Sequence, residues 1–77
     1  MNIYGKVLAN NLKLYREKSN LTQNDLAERA NVSVRGYGKI ERCEVIPSLK
    51  TIEALATAVE TTPDKLLSTS FSQGVNR

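Results

Sequence analysis

The chain has 77 residues, the length of one small domain, and only 5% of them are aromatic, so a core has to come from Leu, Ile, Val and Ala. One Cys and no His exclude an intramolecular disulfide, a structural zinc site and His-based catalysis. The net charge of +3 is uneven: residues 1–43 carry eight Lys or Arg against four acids, and residues 44–77 carry three against four, the footprint expected of a phosphate-binding half.

Leu8, Leu12 and Tyr15 at i, i+4 and i+7 predict a first helix over about residues 5–19. Leu21, Leu26, Ala27 and Ala30 then form one apolar stripe, and Val32, Tyr37 and Ile40 form another. The phase breaks at Asn31, where the chain must reverse and where Asn tolerates a left-handed backbone. Two short helices joined by a tight turn follow from this pattern. Thr22 and Asp25 are spaced as a capping box, and Ser33 caps the second of the two helices. Pro47 ends the connection after Arg42, and Ser48 caps a fourth helix over residues 49–59 with Leu49, Ile52, Leu55, Ala56 and Val59 on its apolar face. Thr62, Pro63 and Asp64 start a short fifth helix. Residues 1–68 are expected to form the domain, and the polar stretch 69–77, with Phe71 alone among polar residues, reads as a flexible tail. No signal peptide or membrane-length apolar run is evident, which points to a cytoplasmic protein without a membrane partner.

The succession Leu21-Thr22-Gln23, Leu26-Ala27, Val32-Ser33, Ile40-Glu41-Arg42 and Pro47-Ser48-Leu49 resembles the Cro and C1 repressor type of helix-turn-helix regulator, the XRE family, over about residues 8–67. The resemblance implies a compact, all-α, five-helix fold of the lambda-repressor kind, bacterial or phage-encoded and nucleoid-associated. It also implies sequence-specific binding of double-stranded DNA, with the second helix of the motif in the major groove, and regulation of transcription by occupancy, as a repressor or an activator. A homodimer on DNA follows from the same resemblance. No cofactor or enzymatic activity is implied.

If Val32, Tyr37 and Ile40 face the core, then Val34, Arg35, Gly36, Gly38, Lys39 and Arg42 face outward. By resemblance, Val34, Arg35, Gly38 and Lys39 occupy base-contacting positions. Arg35 is the strongest candidate, since its planar fork can bond O6 and N7 of guanine together, although a phosphate contact would use the same charge. The resemblance puts Gln23 and the start of its helix on a phosphate, and Arg42 on the backbone at the end of the motif. Ser33 caps its helix and is a further phosphate candidate. Arg16 and Glu41 match positions that form an ion pair joining the first helix to the end of the third.

The chain departs from the family pattern in two places, and the reading helix holds two glycines, of which Gly38 falls where the family commonly has a small residue. Cys43 and Glu60 stand where Gly is usual, so either these positions are strained or their loops differ. Gly36 and Gly38 weaken the reading helix, each by about 0.8–1.0 kcal/mol relative to Ala. Close approach to DNA, unselected surface and a domain that has lost DNA binding are all compatible with Gly36. Two rivals therefore stand beside the regulator: an antitoxin that also masks a toxin partner, and a protein-interaction module without DNA binding. Leu14 and Phe71 are candidates for subunit contact.

Overall fold

A computed structural model describes residues 3–69, which form five helices and, among the described residues, no strand: α1 (Ile3–Lys18), α2 (Gln23–Ala30), α3 (Val34–Glu41), α4 (Leu49–Ala58) and α5 (Pro63–Leu66). α1 packs on α3 and α5, α2 on α3 and α4, and α4 on α5, so the eight-residue α3 is held between α1 and α2. Phe71 and the rest of residues 70–77 lie outside the described residues.

The capping expectations hold in three of four cases. Asp25 donates its backbone N–H to Thr22 Oγ1 at 3.0 Å and accepts from the Thr22 N–H at 2.9 Å, a complete capping box even with Asp in the third position. Ser33 accepts from Gly36 N–H at 2.9 Å, and Ser48 accepts from Thr51 N–H at 3.2 Å. Thr62 differs, because its side chain makes no cap hydrogen bond to α5. Pro63 lacks an N–H, so one of that helix's orphan donors is removed outright.

Leu8, Leu12, Leu26, Ala27, Tyr37, Ile40, Ile52, Leu55, Ala56, Val59 and Leu66 make one continuous core. Leu49 does not join it and is 65% exposed, contrary to the apolar face read from the sequence. Side chains lean toward a helix's N-terminus, so the first residue of α4 is carried past the edge of the core that Ile52, one turn later, already reaches. Asn11 is the opposite case: it is fully buried on the same side of α1 as Leu8 and Leu12. Its Nδ2 donates to the carbonyls of Leu66 at 2.8 Å and Ser68 at 3.0 Å, tying α1 to the exit of α5. Those carbonyls would otherwise be orphaned at a helix end.

Asn20, Asn31, Cys43 and Glu60 all have left-handed φ, at 59°, 60°, 64° and 60°. Each closes a helix with the same pair of backbone bonds. After α3, Glu44 N–H reaches Lys39 O at 2.8 Å and Cys43 N–H reaches Ile40 O at 3.1 Å. After α4, Thr61 reaches Ala56 at 2.8 Å and Glu60 reaches Thr57 at 3.0 Å. These are Schellman closures built without glycine, so Cys43 and Glu60 adopt the left-handed backbone that glycine would favour, and the departures are resolved as strain. Glu60→Gly is expected to raise unfolding free energy by about 0.5–1 kcal/mol, the left-handed penalty less the added backbone entropy. Asn31→Gly should gain less, since Asn already tolerates this conformation, and urea unfolding that ranks the two the other way would refute the argument.

Candidate nucleic-acid interface

The carboxylate of Glu41, the last residue of α3, is the point where three helices meet. Arg16 from α1 donates Nε to Oε2 at 2.7 Å and Nη2 to Oε1 at 3.3 Å. Gln23, the first residue of α2, donates Nε2 to Oε1 at 3.0 Å, and the Tyr37 hydroxyl, one turn back on α3, donates to Oε2. Arg16 also gives Nη1 to the Leu21 carbonyl at 2.9 Å, fixing the turn between α1 and α2. The ion pair expected from resemblance is present and well covered, with the side chains 13% and 5% exposed.

Burial pushes the Glu41 carboxyl up, but the hydrogen bonds from Arg16, Tyr37 and Gln23 outweigh it and hold it below its ordinary value. Tyr37 is raised well above the usual phenol value, first by burial and then by its bond to Glu41, so it remains a donor. The Glu41 hydrogen bond raises Arg16 as well. Family resemblance implied the Arg16–Glu41 pair but neither of its additional donors, since Tyr37 read as plain core and Gln23 as a phosphate ligand. One N–H of the Gln23 amide is committed to Glu41, which leaves the other and the start of α2 to face a ligand.

With α3 fixed in this way, Val34, at 45% exposure, and the exposed Arg35 project from its first turn, and Lys39 is half-buried one turn on. Ser33 is exposed but its Oγ is occupied as the cap. Gly38 does not face outward as expected. It is buried, and a Cβ there would lie 3.0 Å from Arg42 Nη1 and 3.6 Å from Gln23 Oε1. The Arg42 guanidinium folds back over this glycine, and its Nε pairs with Glu44 at 2.8 Å. Gly36 is half-buried, and a Cβ there would meet Ser33 Oγ at 3.0 Å. Cys43 lines a groove of about 470 Å³ beside Ile3, Lys6, Val7 and Lys13. Among the described residues, no cluster of His, Cys, Asp and Glu could hold a metal, and no helix is long and apolar enough to cross a membrane.

Two glycine variants separate packing from capping. Gly38→Ala displaces only the far end of a flexible arginine, so it should raise stability by roughly 0.5–1 kcal/mol through helix propensity. Gly36→Ala presses on the fixed cap hydroxyl and should gain little or nothing, as loss of an N-cap costs about 1 kcal/mol. Equal gains in thermal unfolding would refute the cap argument.

The Arg16–Glu41 bond predicts a second result. Arg16→Ala leaves Glu41 with two neutral donors and a buried charge, and should cost toward the lower end of about 3–5 kcal/mol. A double-mutant cycle with Glu41→Gln should show coupling of at least about 1 kcal/mol. Because the folded carboxyl titrates below its ordinary value, this stability is complete above the unfolded carboxylate range and is lost as pH falls through the folded value. Glu41→Gln should flatten that acid limb, and an unchanged pH profile would rule Glu41 out as its source.

Residues 12–66 match the helix-turn-helix family. The control protein C.SmaI of Serratia marcescens is 39% identical over 62 residues, covering 80% of this chain and 74% of that protein. The immunity repressor of Bacillus phage phi105 is 46% identical over 48 residues, covering 62% of this chain but only 33% of that longer protein. The solution structure of the DNA-binding domain of the P22 C2 repressor superposes with a TM-score of 0.81 at 29% identity, over 95% of this chain and 93% of that one. The clp gene regulator ClgR of Corynebacterium glutamicum shares the fold, with a TM-score of 0.79 at 22% identity, over 83% of this chain and 68% of that one. With its five helices, its capped helix-turn-helix and the buried pair that orients the second helix of the motif, the chain belongs to the Cro/C1-type, or XRE, helix-turn-helix family of DNA-binding transcriptional regulators.

Proposed function

We propose that this regulator binds duplex DNA by laying the exposed side of α3 in the major groove, with Val34, Arg35 and Lys39 against base edges. The carrying observation is that α3 is fixed from behind by Glu41, Arg16 and Gln23, while Val34 and Arg35 on its first turn are exposed. A preoriented short helix with free side chains at its N-terminal end matches the docking geometry of this motif. The second N–H of Gln23, the start of α2, Ser33 and Arg42 supply phosphate contacts that set register without reading sequence. Gly38, buried under Arg42, serves α3 as packing space and not as a base contact.

The protein acts as a homodimer on a pseudo-palindromic site, at the nucleoid, as a repressor by occupancy. Val45, Ile46 and Leu49 favour this reading: they are 43%, 51% and 65% exposed and lie in sequence just before and at the start of α4, apolar side chains available to a second copy. Leu14, on α1, is 40% exposed. A pseudo-palindromic site requires the two α3 helices of such a dimer to lie about 34–36 Å apart.

Selection of bound sequences from a random duplex library should return a two-fold symmetric site. On that site Arg35→Ala should cost about 1–3 kcal/mol while leaving binding to mixed-sequence DNA nearly unchanged, at one fixed salt concentration. Equal weakening on all sequences would assign Arg35 to a phosphate, and absence of any sequence preference in the wild type would overturn the reading.

A further inference from the structure

The exposed acid Glu44 sits beside two cations of the proposed interface, and its position is imposed by the backbone. Left-handed Cys43 turns the chain so that Glu44 N–H bonds Lys39 O at 2.8 Å. That closure brings the Glu44 carboxylate alongside Arg42, where Oε2 takes Nε at 2.8 Å and Oε1 takes Nη2 at 3.4 Å. The other side of the same guanidinium is settled too, since Nη1 lies over Gly38 in space a methyl group would fill. Arg42 is thus folded flat along α3, with its two-donor Nε/Nη2 edge occupied by a carboxylate. That edge is the one with which an arginine grips a phosphate or carboxylate side-on.

Glu44 is also attracted to Lys39, and its carboxyl is held below its ordinary value first by the bond to Arg42. Arg42 and Glu44 are 56% and 50% exposed, so the pair is open to exchange with a competing anion from solvent. Glu17, Asp25 and Glu28 carry no hydrogen bond or ion pair to Lys39 or Arg42, and Glu41 is committed to Arg16.

We propose that Glu44 is an internal phosphate mimic that occupies Arg42 in the free protein and must be displaced before Arg42 can bind the DNA backbone. Glu44 therefore tunes affinity without reading sequence, and Gly38 and Cys43 hold the two partners in place. This inference rests on the DNA-binding reading above, but it concerns how strongly the interface binds rather than which sequence it reads.

The test is a binding titration on the selected duplex and on mixed-sequence duplex, over a range of salt, for the wild type, Glu44→Gln, Arg42→Gln and the double variant. An exposed pair is a weak competitor, so Glu44→Gln should tighten binding by up to about fivefold on both duplexes alike. The slope of log affinity against log salt should steepen by up to about 0.9, the value for one additional phosphate neutralised. In the Arg42→Gln background the same substitution should change affinity by less than about 1.5-fold, because no cation remains to be released. A gain that persists undiminished in the Arg42→Gln background would overturn the proposal and reduce Glu44 to a general negative field. A loss of affinity on Glu44→Gln would overturn it in the other direction, making Glu44 a brace for Arg42. Failure of the wild type to bind any duplex would overturn the DNA-binding reading and this inference together, an outcome distinct from either of those.

Discussion

The Glu41 carboxylate is the constraint on which the rest of this interface depends. α3 is eight residues long and contains two glycines, so its intrinsic helix propensity is poor and its orientation cannot come from stiffness of its own. One buried carboxylate at its last residue accepts from α1, from the start of α2 and from Tyr37 within α3 itself. A charge placed there is tolerable because its acceptor capacity is filled, and it is directional because bidentate guanidinium geometry leaves little freedom. At the other end, Ser33 closes the first turn. A helix tied at both ends needs no further ordering of its backbone on binding, which lowers the entropic cost of recognition to that of its exposed side chains.

Gln23 illustrates how one residue serves two tasks. As the first residue of α2 it stands at the positive end of that helix, where an anion is favoured. Its amide nitrogen is at the same time bonded to Glu41, and its oxygen lies beside the space over Gly38. A phosphate held there would be sensed by the residue that orients α3, so backbone contact and base contact share one rigid frame. In the proposed interface positioning falls to the start of α2 and the two ends of α3, and reading to the exposed side chains of α3 between them.

What could be read from the sequence divides along local and tertiary lines. The capping box at Thr22 and Asp25, the caps at Ser33 and Ser48 and the left-handed Asn31 depend on neighbours within a few residues, and all are present. Leu49 fell on the right helical face but beyond the end of the core, a fact of helix length relative to its neighbours that periodicity does not encode. Asn11 carried a legible signal, a polar residue inside an apolar stripe, although its partners 55 and 57 residues away did not. Arg16 with Glu41 was accessible only through family resemblance, and the two further donors not at all, because each reaches the carboxylate from a different helix. Gly38 was misplaced because a helical wheel treats every position as bare, whereas here the side chain four residues on covers it.

The placement of glycine in this chain runs against local preference in a consistent way. Gly stands inside α3, where Ala would favour the helix, and is missing from all four left-handed closures, where it would relieve strain. Sequences that break local rules do so most often where function imposes another requirement. At Gly38 the requirement is room for the Arg42 guanidinium, on the surface proposed to meet DNA, whereas a Cβ at Gly36 would meet only the Ser33 cap hydroxyl, and the caps at Thr22 and Ser48 face residues that carry side chains. Cys43 keeps its strained conformation at the foot of α3, where the turn delivers Glu44 to Arg42. Glu60 closes α4 with the same strain and has no hydrogen bond or ion pair to the interface residues, and nothing in the structure explains its side chain there. Relief of strain at Glu60 should therefore be free of functional consequence, whereas at Cys43 any change that moves the turn also moves the carboxylate that competes for Arg42.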